Sequence, residues 1–243
     1  MVAAIISAMY AAAAMAAAVF ARQSTRVSVH TSRGVIDGLR EASGVETFKG
    51  IRFATVPTRF ERAAPIAKKW TVPVDASSFG AKCMQGASYL RPEDTMAEDC
   101  LFLNIWRPDS RLRNNATSVY ESTLPVLVFI HGGGMLTGSG SDFNGTSMAT
   151  TRNAIVVTLN YRLGPFGFLT TESSGKGGMN GVHDQLIALE FIYDVVDSFG
   201  GDVTKMLVFG ESAGGISTCI LAVSPMVHPK LIPRALIESG PCT

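Results

Sequence analysis

The chain has 243 residues, 47% of them hydrophobic, with a formal charge of +1 and a pI near 7.7. That is enough apolar material for the core of one large domain, or of part of one. Nearly balanced charge, with no basic tract and no acidic tail, points away from a nucleic-acid partner.

Residues 1–20 are uncharged, rich in alanine and apolar, and Ala21-Arg22-Gln23 follows. Val19-Phe20-Ala21 offers small residues at the two positions a signal peptidase reads, so residues 1–21 are expected to be a secretory leader. The leader lacks an early Lys or Arg, and an uncleaved anchor is the alternative. Alanine is only weakly membrane-stable, which favours cleavage. No later segment is long and apolar enough to span a bilayer.

Arg26 to His30 alternates, Thr31-Ser32-Arg33-Gly34 turns, and Val35-Ile36 resumes, which predicts a hairpin. Phe48-Lys49-Gly50-Ile51-Arg52-Phe53 is a further short strand, followed by an irregular, Pro-containing stretch to Val74. Cys83 and Cys100 flank a polar loop and read as a local disulfide of an oxidising compartment. Cys219 reads as a buried free thiol, and Cys242 as a cysteine whose partner lies outside this sequence. Two sequons, at Asn115 and Asn144, sit in polar contexts and agree with export. No Cys/His cluster has metal-ligand spacing, and no cofactor is implied.

Leu101 to Trp106 is strand-like, and Leu124 to Ile130 reads as a continuous buried strand. It runs into His131-Gly132-Gly133-Gly134, a tetrad expected by chance only about 0.004 times in such a chain. Three consecutive glycines leave backbone N–H groups free to point into a cavity, as a developing oxyanion requires. Ala154 to Leu159 is the next strand. Val182, Leu186, Ile187, Leu189, Phe191, Ile192 and Val195 then share one broad helical face, stopped by Phe199-Gly200-Gly201-Asp202. Met206-Leu207-Val208-Phe209 leads into Gly210-Glu211-Ser212-Ala213-Gly214, and Ile216 to Val223 is compatible with a helix. A G-x-S-x-G pattern between strand and helix is what a serine nucleophile on a sharp turn needs. The order of elements predicts an α/β sheet capped by a small antiparallel β region.

These segments together resemble the type-B carboxylesterase family, which includes cholinesterases and related fungal lipases. The likeness rests on Phe48-Lys49-Gly50-Ile51, Glu98 through Trp106, the His131 tetrad, Asn160-Tyr161-Arg162 through Leu169, Asp184-Gln185, Phe199 through Asp202 and the Ser212 pentapeptide. It implies an α/β-hydrolase fold, with a central mostly parallel sheet and the small N-terminal antiparallel region, of which residues 22–243 are the N-terminal part.

The resemblance implies that Ser212 attacks an ester carbonyl to give an acyl-enzyme, with Gly133, Gly134 and Ala213 donating to the oxyanion. It makes Glu211 a buried carboxylate supporting the site, a solvated turn residue being the alternative. It matches Cys83–Cys100 to a family disulfide. Arg162 and Glu98, each inside a motif, are expected to pair as a buried salt bridge behind the oxyanion loop. His131 is expected to be an orienting or packing residue rather than a base, His183 to have a local structural role, and His30 and His228 to lie on the surface. A triad of this family runs serine, acid, histidine. After Ser212 only His228 and Glu238 are available, in the reverse order, so the acid and base are expected outside this sequence. The Cys83–Cys100 loop carries Tyr89 but no tryptophan to stack on a quaternary ammonium, which disfavours choline esters. The expected partner is a small-molecule or lipid ester, acylglycerols included. A non-catalytic adhesion module on the same fold is the competing reading, which the intact Ser212 and glycine triplet oppose.

Overall fold

The computed structural model describes residues 24–87, 90–109, 123–170 and 177–242. The leader, Tyr89 and Asn115 lie outside the described residues.

Eight strands make the main path of one sheet: β1 (Thr25–Thr31), β2 (Gly34–Arg40), β3 (Val45–Arg52), β4 (Phe102–Pro108), β5 (Leu124–Ile130), β6 (Ile155–Leu159), β7 (Gly201–Glu211) and β8 (Ala235–Glu238). Their spatial order is β1-β2-β3-β4-β6-β5-β7-β8. From β1 to β6 neighbours are antiparallel, and from β6 to β8 they are parallel. The expected N-terminal β region is therefore not a separate cap. It continues the central sheet through the long β3–β4 pairing. The Phe48-Lys49-Gly50-Ile51 motif explains that junction. Phe48 and Ile51 are fully buried, and the register shifts between them. Gly50 takes φ +72° there and donates its N–H to Asn104 Oδ1 at 2.9 Å, and a Cβ would come within 2.6 Å of the Ser78 carbonyl.

Among the described residues four α-helices follow in the parallel half: α1 (Thr146–Arg152), α2 (Gly164–Phe168), α3 (Asn180–Val195) and α4 (Ala213–Val223). The helical pattern read from Val182 to Val195 is α3, twelve of whose residues are buried. It shares the core with Val126, Val128 and Ile130 of β5 and Val157 and Leu159 of β6. All of β6 is buried, as a central parallel strand should be. β5 departs from the expected continuous burial. Its burial alternates, because Leu127 and Phe129 lie on the sheet face that is only partly covered. Beyond a single 3₁₀ turn after α3, Gly200 takes φ +85° and directs the chain into β7. Among the described residues no helix is long and apolar enough to cross a membrane.

Candidate active site

Ile130, the last residue of β5, lies opposite Gly210 near the end of β7. This register brings the two glycine motifs together at the carboxyl ends of parallel strands, where sheets of this kind place their ligands. Only Ser212 separates β7 from α4, and it turns with φ +55° and ψ −122°. A non-glycine residue holds that conformation only when its surroundings impose it. The Ser212 N–H donates to the Glu238 carbonyl of β8 at 2.8 Å, and the Ser212 carbonyl accepts from Ile216 at 3.0 Å. The hydroxyl makes no capping bond to α4.

The flanking glycines are required by contact. A Cβ on Gly210 would lie 2.4 Å from Gly214, one on Gly214 would lie 2.0 Å from the Ile130 carbonyl oxygen, and one on Gly132 would lie 2.7 Å from the Glu211 carbonyl oxygen and 3.3 Å from Ser212 Cβ. The His131 tetrad and the Ser212 turn are thus packed backbone to backbone.

Beyond Gly132 the chain turns tightly, with φ +97° at Gly133, +63° at Gly134 and +61° at Met135. The Gly133 carbonyl closes the turn by accepting from Leu136 and Thr137, both at 3.0 Å. None of the N–H groups of Gly133, Gly134 and Ala213 donates to a described residue. Gly133 and Gly134 are exposed, and a Cβ on Gly134 would meet nothing within 4 Å. Three unused donors beside a strained serine form an arrangement suited to a tetrahedral oxyanion.

In the Asn160-Tyr161-Arg162 run that follows β6, each side chain binds a different segment, and Tyr161 reaches the His131 tetrad. Asn160 accepts from the Gly140 N–H (2.8 Å) and Ser139 hydroxyl (3.0 Å), and donates to the carbonyls of Ala81 and Cys100. Tyr161 donates its hydroxyl to the His131 carbonyl at 2.9 Å and stacks on the His131 ring at 4.4 Å. Arg162 grips Asp184 of α3 in a buried two-pronged pair, Nε to Oδ2 at 2.8 Å and Nη2 to Oδ1 at 2.7 Å. Gln85 adds a clamp from the Cys83–Cys100 loop, accepting from Gly138 N–H at 2.9 Å and donating to its carbonyl at 3.0 Å.

The sequence profile of the carboxylesterase family matches residues 25–243. The chain belongs to the carboxylesterase family. It is 38% identical over 227 residues to a para-nitrobenzyl esterase of Bacillus subtilis, covering 89% of this chain and 44% of that protein. It is 37% identical to the human bile salt-activated lipase, over 88% of this chain and 29% of the lipase. Among solved structures, a thermophilic para-nitrobenzyl esterase superposes with a TM-score of 0.79 at 36% identity, over 89% of this chain and 44% of that one. The juvenile hormone esterase of Manduca sexta gives 0.77 at 34% identity, over 89% and 41%. The fold is that of the α/β-hydrolases. The chain spans less than half the length of these carboxylesterase relatives.

Four expectations need correction, those for Arg162, Cys219, Cys242 and Glu211. Arg162 does not pair with Glu98. Asp184 takes the guanidinium from α3, whereas Glu98 binds Arg59 near the surface through both carboxylate oxygens. Cys219 is not a free thiol. After β8 the chain turns at Ser239 (φ +54°) and Gly240, runs along α4, and brings Cys242 to 5.6 Å from Cys219 between Cα atoms, disulfide-bonded. Glu211 is exposed rather than buried. Cys83–Cys100 is bonded as expected, with Cα atoms 4.9 Å apart.

The histidines are not placed as bases. His131 is buried, and burial pushes it down to about 4. His183 is also lowered, first by burial and then by the Arg62 and Arg162 charges. His30 is exposed on β1, and exposed His228 accepts the Lys230 N–H with its ring nitrogen. A cavity of about 420 Å³ lies beside the Cys83–Cys100 bond, lined by Arg52, Arg59, Glu98, Arg162 and Phe166 among others, but Ser212 does not line it. Its arginines are already paired with Asp99, Glu98 and Asp184.

Proposed function

We propose that this chain carries the nucleophile and oxyanion hole of a secreted serine carboxylic-ester hydrolase. Ser212 Oγ attacks the ester carbonyl, the alkoxide leaves, and water releases the acyl group from the serine. Gly133, Gly134 and Ala213 donate their N–H groups to the oxyanion, each such donor being worth on the order of 3 kcal/mol in the transition state. The observation that carries this reading is the packing of Gly132 against Ser212, held at φ +55°, with the N–H groups of Gly133, Gly134 and Ala213 donating to no described residue. The general base and its acid are supplied from outside these 243 residues. His131 is buried and His30 lies on β1, at the sheet edge opposite β7 and β8, and the relatives are more than twice as long as the matched region. The likeness to an esterase and to a lipase of similar identity makes neutral carboxylic esters, acylglycerols included, the substrate class. Export through residues 1–21, with a glycan on exposed Asn144, accords with two disulfides.

The test is hydrolysis of a p-nitrophenyl ester by the complete protein, beside Ser212→Ala and the 243-residue chain alone. Turnover by the complete protein that vanishes in Ser212→Ala, with none from the short chain, supports the reading. Turnover that survives Ser212→Ala sinks it. Turnover by the short chain would show that the base lies within it.

A further inference from the structure

His131 does more than fill space behind the oxyanion turn. Its Nδ1 lies 2.8 Å from the carbonyl oxygen of Gly132. A carbonyl can only accept, so Nδ1 carries the proton and Nε2 is the bare nitrogen. Nε2 is buried and has no partner among the described residues. The ring is held in this pose from three sides. Tyr161 stacks on it at 4.4 Å and bonds the His131 carbonyl. Gly138, at φ +106°, lies so close that a Cβ would come within 2.5 Å of Nδ1. Gln85 in turn clamps both backbone groups of Gly138.

The consequence follows from peptide geometry. The Gly132 C=O and the Gly133 N–H belong to one planar unit, and no cis peptide occurs among the described residues. In a trans unit the two bonds point in opposite directions. Drawing the Gly132 oxygen toward Nδ1 therefore aims the Gly133 N–H away from His131, on the exposed side of the turn. Glycine on both sides leaves this unit few steric barriers to rotation, so a fixed acceptor-side bond is what sets its orientation.

We propose that His131 is a positioning residue for ester hydrolysis, its Nδ1–H holding the Gly132 carbonyl so that the Gly133 N–H stays presented to the oxyanion. The inference rests on the reading of Ser212 and the glycine turn as the reaction centre. It assigns His131 no proton transfer and no contact with substrate.

The test compares His131→Phe, which keeps the stacking area and loses the donor, with His131→Asn, whose side-chain amide nitrogen can replace Nδ1. In the complete enzyme His131→Phe should lower kcat by about 100-fold, the cost of one misplaced oxyanion donor, with KM within about twofold. Affinity for a trifluoromethyl ketone, which forms the tetrahedral oxyanion on serine, should fall in parallel with kcat. His131→Asn should recover most of both. A loss that Asn does not recover, or one carried by KM, reduces His131 to packing and overturns the proposal. So does an unchanged kcat in His131→Phe. Should His131→Phe not fold, ¹⁵N spectra of the wild-type imidazole decide, since a proton on Nε2 rather than Nδ1 overturns the proposal directly. Ser212→Ala run alongside separates the two levels. Activity that survives Ser212→Ala removes the underlying reading, whereas activity lost there and unaffected in His131→Phe removes this inference alone.

Discussion

Replacing Asp184 by Asn should destabilise the protein by about 3–5 kcal/mol, because it strands a buried guanidinium. The Arg162 side chain is 4% exposed and that of Asp184 is fully buried. Asp184 accepts three bonds from Arg162: from Nε at 2.8 Å, from Nη2 at 2.7 Å and from the backbone N–H at 3.1 Å. Burial pushes the Asp184 carboxyl up, and the Arg162 bonds and charge oppose the shift. Asn preserves the shape but removes the charge and one acceptor oxygen, leaving the guanidinium charge without its counter-charge. The remaining Arg162 contact in its fork, Nη1 to the Glu61 carbonyl at 2.7 Å, does not neutralise it. At about 2–4 °C per kcal/mol for a domain of this size, the melting temperature should fall by roughly 10 °C in scanning calorimetry. A second variant, Arg162→Met with Asp184→Leu, removes both charges and should recover a large part of that loss. An Asp184→Asn variant within about 1 kcal/mol of wild type, or a double variant no better than the single, would refute the reasoning.

Gly214→Ala should cost up to about 3 kcal/mol by overpacking against the Ile130 carbonyl oxygen, which its Cβ would approach to 2.0 Å, as urea midpoints would show. Gly134→Ala should cost only about 1–2 kcal/mol, from positive φ alone, since its Cβ has open space. Urea stability should fall as pH drops from 6.5 toward 4. Burial holds His131 down at about 4 while its unfolded value is near 6.5, so in that window the unfolded chain takes up more protons and gains. The full contribution of about 3 kcal/mol is present above pH 6.5, His183 adds in the same direction, and His131→Phe should flatten the profile. Cys219→Ser should lower stability by about 3 kcal/mol, seen as a melting temperature that no longer responds to reductant at that bond.

Locally encoded features were legible before the structure. The β1–β2 hairpin, the α3 face and the strand–serine–helix turn each depend on residues close together in sequence. The meeting of Gly132 with Ser212 was implied by two motifs but depends on the β5–β7 register, a long-range fact. What failed was pairing. Glu98 and Arg162 both sit in recognisable motifs, yet the partner of Arg162 is Asp184, which lay in the Asp184-Gln185 signature with no role assigned. A buried arginine needs a buried carboxylate, and a mainly apolar helix face carrying a single carboxylate, Asp184, was the available signal. Cys219–Cys242 was missed because it requires the turn at Ser239 and Gly240, which nothing near Cys219 signals. Gln85 carried no signal at all, since its bonds reach across 53 residues to a loop glycine.

The central claim, that Ser212 is an activated nucleophile in the complete protein, is tested most directly by a fluorophosphonate probe followed by peptide mass mapping. The account predicts a single adduct on the peptide containing Gly210-Glu211-Ser212-Ala213-Gly214, absent in Ser212→Ala and strongly slowed in His131→Phe. A complete, folded protein that acquires no adduct at Ser212 would contradict it.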